Sequence, residues 1–143
     1  MPEMRRSPTA ALPFHTQEGL RYRDVDPMGH VNNSVYATLF EQNRVAFQSE
    51  PGGFCEAEGQ IAVLATQTID FLREMHFPGT VDIGLGISRI GRSSFDFIQE
   101  ITLEGGLIAR GRCTQVLIDE GARTSVPLSG LQIEMLNRWL VVP

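Results

Sequence analysis

Residues 22–47 carry the sequence YRDVDPMGHVNNSVYATLFEQNRVAF, which is the densest run of reactive side chains in the chain. Its first part places two acids, Asp24 and Asp26, two residues apart and close to Pro27 and Gly29. Because proline and glycine interrupt regular elements, this part predicts a turn that presents the acids.

The second part predicts a long helix that begins near Asn33. Asn32 and Asn33 have short side chains that can accept hydrogen bonds from the unpaired N–H groups of a first helical turn. Apolar residues then recur mainly three or four positions apart until about residue 48, so the helix would span roughly 24 Å. The order of acid, turn and helix start matters chemically. Exposed N–H groups at a helix start can stabilise an oxyanion near a carboxylate.

Period-two alternation predicts strands over most of the second half of the chain. Apolar Val81, Ile83 and Leu85, for example, alternate with Asp82 and Gly84. The predicted strands cover residues 61–72, 81–87, 95–103 and 107–119. We expect four successive hairpin-connected strands, with turns that include residues 91–92 and 104–106.

Less regular segments flank this pattern. A loose tail is predicted over residues 1–16, a short first strand over residues 18–23, and a closing helix over residues 128–140 with Ser129 as its cap. Together these elements predict one domain over residues 1–143, and its fold class is α+β. The long helix is the element available to cover the apolar face of the antiparallel sheet.

The stretch from Asp24 to Asn33, followed by Tyr36 and Glu41, resembles the signature of hot-dog-fold acyl-CoA thioesterases of the 4-hydroxybenzoyl-CoA thioesterase type. The resemblance runs over about residues 19–124. It implies the hot-dog fold, a curved antiparallel β-sheet wrapped around one long central α-helix. It also implies hydrolysis of an acyl-CoA thioester to a free carboxylic acid and CoA.

The resemblance assigns Asp26 as the nucleophile or general base, and the backbone N–H of Asn33 as the group that polarises the thioester carbonyl. From the residues alone, Asp26 before Pro27 also fits a turn in which the aspartate bonds its own backbone. His30 is a candidate proton carrier or a residue that shapes the loop. Glu41 either reaches the same site or lies at the edge of the apolar stripe.

Two further groups are candidates for substrate binding. Gly29 in the turn and Tyr36 on the helix are expected beside the acyl group, with Tyr36 as lining or core. The segment that contains Arg89, Arg92, Ser93 and Ser94 looks like the family's strand-turn-strand segment near CoA, and arginine forks bind phosphates well. A solvated hairpin tip is the alternative.

Two other functions remain open at this point. A hydratase or dehydratase acting on acyl thioesters shares the fold and would use His30 with Glu41. A non-catalytic acyl-CoA-binding module would not need the Asp26 carboxylate. No cofactor is expected, since CoA is part of the substrate. No metal site is expected, because His15, His30 and His76 lack metal-ligand spacing.

The overall charge and composition of the chain limit the expected partners and location. A net charge of −5 argues against nucleic-acid binding through bulk charge. No apolar run approaches the roughly 20 residues of a membrane span, and no secretion signal is expected. Cys55 and Cys113 are expected as free thiols in the cytoplasm. Open edge strands predict self-association as a homodimer or homotetramer.

Overall fold

Five strands and two α-helices make up residues 12–141, the part of the chain that the computed structural model describes. In chain order they are β1 Phe14–Gly19, α1 Asn33–Ser49, β2 Gln60–Phe71, β3 Thr80–Ile90, β4 Ser94–Leu103, β5 Gly106–Asp119 and α2 Gly130–Asn137. A single 3₁₀ turn, Tyr22–Asp24, precedes α1. This is the predicted α+β architecture.

The strands form one antiparallel sheet in the spatial order β1-β3-β4-β5-β2. As predicted, tight turns join β3 to β4 and β4 to β5. In the second turn Glu104 and Gly105 both have positive φ, 53° and 77°. The prediction that β2 continues into β3 as a hairpin is wrong, because β2 pairs with β5. Residues 72–79 carry the chain across the sheet, and this connection is longer than the roughly two to five residues of a hairpin loop.

Helix α1 packs on the inner face of the sheet. Phe97 and Ile101 of β4 point to this face and are fully buried, as the alternation in β4 predicted. Phe40 of α1 lies against Gly111 of β5, where an added Cβ would stand 3.0 Å from the ring. Burying each phenylalanine contributes about 1.5–3 kcal/mol. The glycine therefore lets the helix approach the sheet closely, which fixes where the helix start lies.

Asn43, Arg44 and Gln99 are among the polar side chains buried between α1 and the sheet in the described residues. Gln99 of β4 donates to the carbonyl of Phe40 at 2.9 Å and to Oδ1 of Asn43 at 2.8 Å. The Arg44 guanidinium donates to Oε1 of Gln99 at 3.0 Å and to Oε1 of Gln67 at 3.2 Å. Asn43 and Arg44 are polar residues that interrupt the apolar pattern of α1. The structure buries both, with 1% and 4% exposed.

The ends of the described segment correct two predictions. Residues 14–16 belong to β1 and not to a loose tail, whereas residues 1–11 of that predicted tail lie outside the described residues. Residues 20–23 were predicted as the end of the first strand, but residues 20–21 have no regular structure and Tyr22–Asp24 form the 3₁₀ turn. The strand ends early because Pro27 and Gly29 begin the loop so soon afterwards. The closing helix begins after Ser129, whose side chain accepts from the N–H of Gln132, as its predicted cap role requires.

Candidate active site

A closed loop over residues 25–31 presents Asp26. Val25 and Val31 pair as an isolated antiparallel bridge, and the N–H of Asp26 donates to the carbonyl of His30 at 2.8 Å. Gly29 reverses the chain with φ +86°, a conformation that residues with a side chain rarely adopt. The loop is therefore held by its own backbone, and the position of Asp26 is set by it.

The carboxylate of Asp26 is itself part of the turn. Its Oδ1 accepts hydrogen bonds from the N–H of Met28 at 2.9 Å and of His30 at 3.2 Å. This is the turn chemistry that the Asp-Pro pair predicted. Within residues 12–141 the hydrogen bonds described for this carboxylate all end on Oδ1. A substrate or water can therefore approach Oδ2 while Oδ1 holds the group in place.

The helix start lies beside this loop, where the sequence predicted it. Asn32 is the N-cap of α1, and its Oδ1 accepts from the N–H of Ser34 at 2.9 Å and from its hydroxyl at 2.8 Å. Asn33 is the first helical residue, so its own N–H has no acceptor within the helix. That N–H is a donor available to a developing negative charge.

Asp26 and Asn33 line one cavity of about 360 Å³. Volumes of this order are typical of small-molecule sites. The lining combines the loop, the helix start and the end of β2, and its members are Asp26, His30, Val31, Asn33, Tyr36, Phe71, Leu72, Arg73 and Glu74. The cavity thus brings a carboxylate and a free helix N-terminus together with aromatic rings.

Tyr36 and Phe71 form the aromatic wall of the cavity. Their rings meet edge to face, with centroids 4.9 Å apart. Tyr36 is 2% exposed, and burial raises the pKa of its hydroxyl. Phe71 is 47% exposed and ends the edge strand β2. Tyr36 therefore stands where lining was predicted, next to a ring that is open to the edge of the sheet.

Asp24, two residues before Asp26, supports the loop. It is 4% exposed, and its carboxylate accepts from the backbone N–H of Arg21 at 2.8 Å and from the guanidinium at 3.0 Å. Burial raises the pKa of Asp24, but the Arg21 hydrogen bonds outweigh it and leave the pKa lowered. The carbonyl of Asp24 also accepts from the N–H of Asn32. Asp24 thereby ties the loop to the helix cap.

His30 has an acidic neighbour that the sequence did not indicate. Its Nε2 lies 3.2 Å from Oε2 of Glu74, in the connection that follows β2. The same carboxylate oxygen lies 3.8 Å from Nε2 of His76, and the two imidazole rings are 5.2 Å apart. The His30 side chain therefore belongs to a three-residue cluster and does not only shape its loop.

The remaining predicted residues lie away from this cavity in the single chain. Glu41 is exposed on α1, two turns beyond Asn33, and is not part of the lining. The Arg89 guanidinium forms a fork with Asp96, with N–O distances of 2.9 and 3.0 Å. Its other described partner is the hydroxyl of Ser94 at 2.9 Å. Catalysis by Glu41 and phosphate binding by Arg89 therefore stay predictions.

Arg89 has local partners at the β3–β4 turn, because Asp96 and Ser94 face it from β4. Burial raises the pKa of Asp96, but hydrogen bonds from Arg89 and Thr114 outweigh it and leave the pKa lowered. The same hydrogen bond from Arg89 to Asp96 raises the pKa of the guanidinium. Arg92 and Ser93 contribute backbone carbonyls to the N–H groups of residues 128 and 117. The exposed Arg92 side chain is left at the surface of this turn.

Sequence reasoning missed the cavity residues of the connection after β2. The sequence did not indicate that this connection lines a cavity, because it contains no catalytic motif. The residues concerned are Leu72, Arg73 and Glu74. The available signal was a short charged run just before Pro78 and Gly79. Loops that carry charges at the end of a strand often hold functional residues.

Comparison with known proteins agrees with this geometry. The sequence model of the Thioesterase-like superfamily matches residues 20–140. The chain belongs to this superfamily, in agreement with the thioester-hydrolase class that the resemblance implied. Neither helix in the described residues is long and apolar enough to cross a membrane.

Individual relatives are more distant. The uncharacterized protein YsmA of Bacillus subtilis (strain 168) is 27% identical over 81 residues, which are 57% of this chain and 55% of YsmA. The chain thus matches only about half the length of this relative. The PA5185 protein from Pseudomonas aeruginosa strain PAO1 superimposes with a TM-score of 0.78 at 25% identity, over 88% of this chain and 90% of that protein. A DHNA-CoA thioesterase from Staphylococcus aureus gives 0.78 at 23% identity, over 87% and 89%. These likenesses confirm the predicted hot-dog fold.

Proposed function

We propose that this protein hydrolyses an acyl-CoA thioester to a free carboxylic acid and CoA. The observation that carries the proposal is the shared cavity of Asp26 and Asn33. A carboxylate is the attacking or proton-accepting group that thioester hydrolysis needs, and an unpaired helix N–H is a suitable donor to the oxyanion. Membership in the thioesterase-like superfamily supports the same reaction.

Two routes use these groups and give the same products. In the first, Asp26 Oδ2 attacks the thioester carbonyl, the C–S bond breaks, CoA leaves as the thiolate, and water hydrolyses the anhydride. In the second, Asp26 accepts a proton from water while that water attacks the carbonyl, and the C–S bond then breaks so that CoA leaves as the thiolate. In both, the Asn33 N–H donates to the carbonyl oxygen as charge develops there. Neither route needs a cofactor.

We assign the acyl group to the aromatic wall formed by Tyr36 and Phe71. Ring faces favour planar or apolar acyl groups, and one protein of the same fold is a DHNA-CoA thioesterase. Gly29 and the His30 side chain would lie beside the reacting carbonyl. Arg89, Arg92, Ser93 and Ser94 remain the proposed contacts of the CoA moiety, where a phosphate would share Arg89 with Asp96.

We further propose that the protein acts as a homodimer joined along β2. This strand is twelve residues long, lies at the edge of the sheet and exposes Leu64 and Phe71. A second copy would pair its unpaired backbone groups and cover Phe71 at the cavity. Sedimentation that shows only monomer at micromolar concentration would refute the dimer. The free thiols Cys55 and Cys113 suit a reducing cytoplasm, which we propose as the setting.

The reaction class is tested by thiol release from short-chain, long-chain and aromatic acyl-CoAs, followed with a chromogenic thiol reagent. The proposal predicts release of CoA in step with formation of the free acid. Loss of the conjugated absorbance of an enoyl-CoA without thiol release would instead support hydration by His30 and Glu41. Binding without turnover across the panel would support the non-catalytic module and refute the hydrolase.

A further inference from the structure

The cluster of His30, Glu74 and His76 is the feature that the proposed hydrolysis does not use in full. One ligand atom from each of the three residues lies within 4.8 Å of the other two. Two imidazoles and one carboxylate are a ligand set that zinc accepts. We propose that these three residues form a binding site for a divalent transition-metal ion, with Zn²⁺ as the representative ion.

The hydrogen bonding of His76 prepares it for this role. Its Nδ1 lies 3.2 Å from the carbonyl oxygen of Gly29. Because a carbonyl oxygen can only accept, Nδ1 carries the hydrogen, and in the neutral ring Nε2 then carries the lone pair. Metal-bound histidines typically donate their other ring N–H in this way. The atom that faces Glu74 is therefore the atom that would bind the metal.

The charges of the cluster call for a cation at its centre. Oε2 of Glu74 faces Nε2 of His30 at 3.2 Å and Nε2 of His76 at 3.8 Å. A metal ion between these atoms would be attracted by the carboxylate and would accept the lone pair of His76 Nε2.

The distances are close to those of a tetrahedral site. Zinc at about 2.0–2.1 Å from nitrogen and oxygen ligands places neighbouring ligand atoms about 3.3 Å apart. The distance from His30 to Glu74 already has this value. The other two pairs must close by about 1.5 Å or less. The side chains of Glu74 and His76 are 65% and 60% exposed, so they can rotate to do so.

An ion at this site would affect the cavity. His30 and Glu74 line the cavity together with Asp26, whereas His76 does not. The backbone N–H of His30 also holds Oδ1 of Asp26. Three protein ligands leave the fourth position of zinc open beside the cavity. We infer that the ion slows hydrolysis by narrowing the entrance of the cavity and restraining the loop over residues 25–31. This effect on hydrolysis rests on the proposed function, whereas metal binding does not depend on it.

Binding is tested by equilibrium dialysis of the metal-free full chain against micromolar Zn²⁺ at neutral pH. A Cys55→Ser background removes the exposed thiol as a competing ligand. Glu74→Gln and His76→Asn each remove one ligand, and asparagine keeps a donor near the Gly29 carbonyl. His15→Asn is the control, since His15 bonds Asp82 and lies outside the cluster.

We expect one Zn²⁺ per chain in the background and in His15→Asn, with affinity lowered about tenfold or more in both ligand variants. An excess of Mg²⁺ should not displace zinc, because magnesium prefers oxygen ligands. Absence of binding, or equal binding in both ligand variants while circular dichroism shows them folded, would overturn the site.

Activity is then measured with and without Zn²⁺, each protein relative to its own metal-free rate. Zinc should slow thiol release in the background protein, and a chelator should reverse it. Binding without slowing would overturn the inferred link to hydrolysis and keep the site. Absence of thiol release from every acyl-CoA would refute the proposed function, while the dialysis result would stand by itself.

Discussion

Replacing Gln99 by leucine is expected to destabilise the fold by about 3–5 kcal/mol, although the two side chains are similar in size. Gln99 is 1% exposed and makes three hydrogen bonds between 2.8 and 3.0 Å. Two of them join neutral groups and contribute about 1 kcal/mol each, whereas the third accepts from the charged Arg44 and contributes about 1.5–3 kcal/mol. Leucine would leave that buried charge with the half-buried Gln67 and the weakly accepting Cys113 thiol as its described side-chain partners.

The cost of Gln99→Leu should depend on the charge of Arg44. A double variant, Arg44→Met with Gln99→Leu, should be more stable than the sum of the single changes predicts, by about 2 kcal/mol. Gln67→Leu is the matched control. Gln67 bonds the same guanidinium, but it is only half buried, so water can replace it and the cost should be about 1 kcal/mol.

Urea denaturation at one fixed protein concentration measures these differences, because a dimer couples unfolding to concentration. Two results would refute the reasoning. One is a loss below about 1 kcal/mol in Gln99→Leu. The other is additivity in the double variant, which would mean that the Arg44 charge finds other compensation in the folded protein.

Three further predictions address the helix start, the helix–sheet contact and the loop. Asn32→Ala should cost about 1 kcal/mol of stability and lower kcat/KM. Ser129→Ala, at the cap of α2, should cost a similar amount of stability and leave kcat/KM unchanged. Urea unfolding measures the stability, and thiol release measures kcat/KM. Gly111→Ala should cost about 1–3 kcal/mol of stability, because the added methyl group would press on the ring of Phe40. Gly130→Ala is the control, since its Cβ would enter open space, and its stability should be nearly unchanged in the same unfolding assay. The lowered pKa of Asp24 means that its stabilisation is present above the unfolded pKa of about 3.9 and is lost as pH falls through the lower folded pKa. The urea concentration at the unfolding midpoint should therefore be measured between pH 3 and 6. It should fall toward pH 3 in the native chain, and it should fall less in Asp24→Asn.

Local signals in the sequence predicted much of the fold because the physics behind them is local. The cap at Asn32 and the helix start at Asn33 depend on side chains next to the backbone that they satisfy. The buried face of β4, which carries Phe95 and Phe97, depends only on the period of a strand. Such features need no knowledge of the rest of the molecule.

Features that depend on distant partners could not be predicted in this way. The alternation in β2 indicates a strand, but it does not say that the neighbour is β5. Arg44 interrupts an apolar stripe, and its burial is compensated by acceptors on distant strands, Gln99 and Gln67. His30 and His76 are far apart in the chain, and the crossing of residues 72–79 brings them together beside Glu74. These three side chains are close together only in the folded protein, so their spacing in the sequence could not indicate the cluster.

The central claim is that the Asp26 carboxylate carries out the chemistry, and Asp26→Asn tests it most directly. Asparagine keeps an oxygen that can accept from the N–H groups of Met28 and His30, so the turn should persist while the reactive oxygen is lost. Asp119→Asn is the control, because Asp119 also accepts a backbone N–H in a turn, at the far end of β5.

The measurement is kcat/KM for thiol release from the preferred acyl-CoA, with the fold of each variant checked by circular dichroism. We expect kcat/KM to fall about 10²-fold or more in Asp26→Asn and to stay unchanged in Asp119→Asn. Unchanged hydrolysis in a folded Asp26→Asn protein would contradict the central claim.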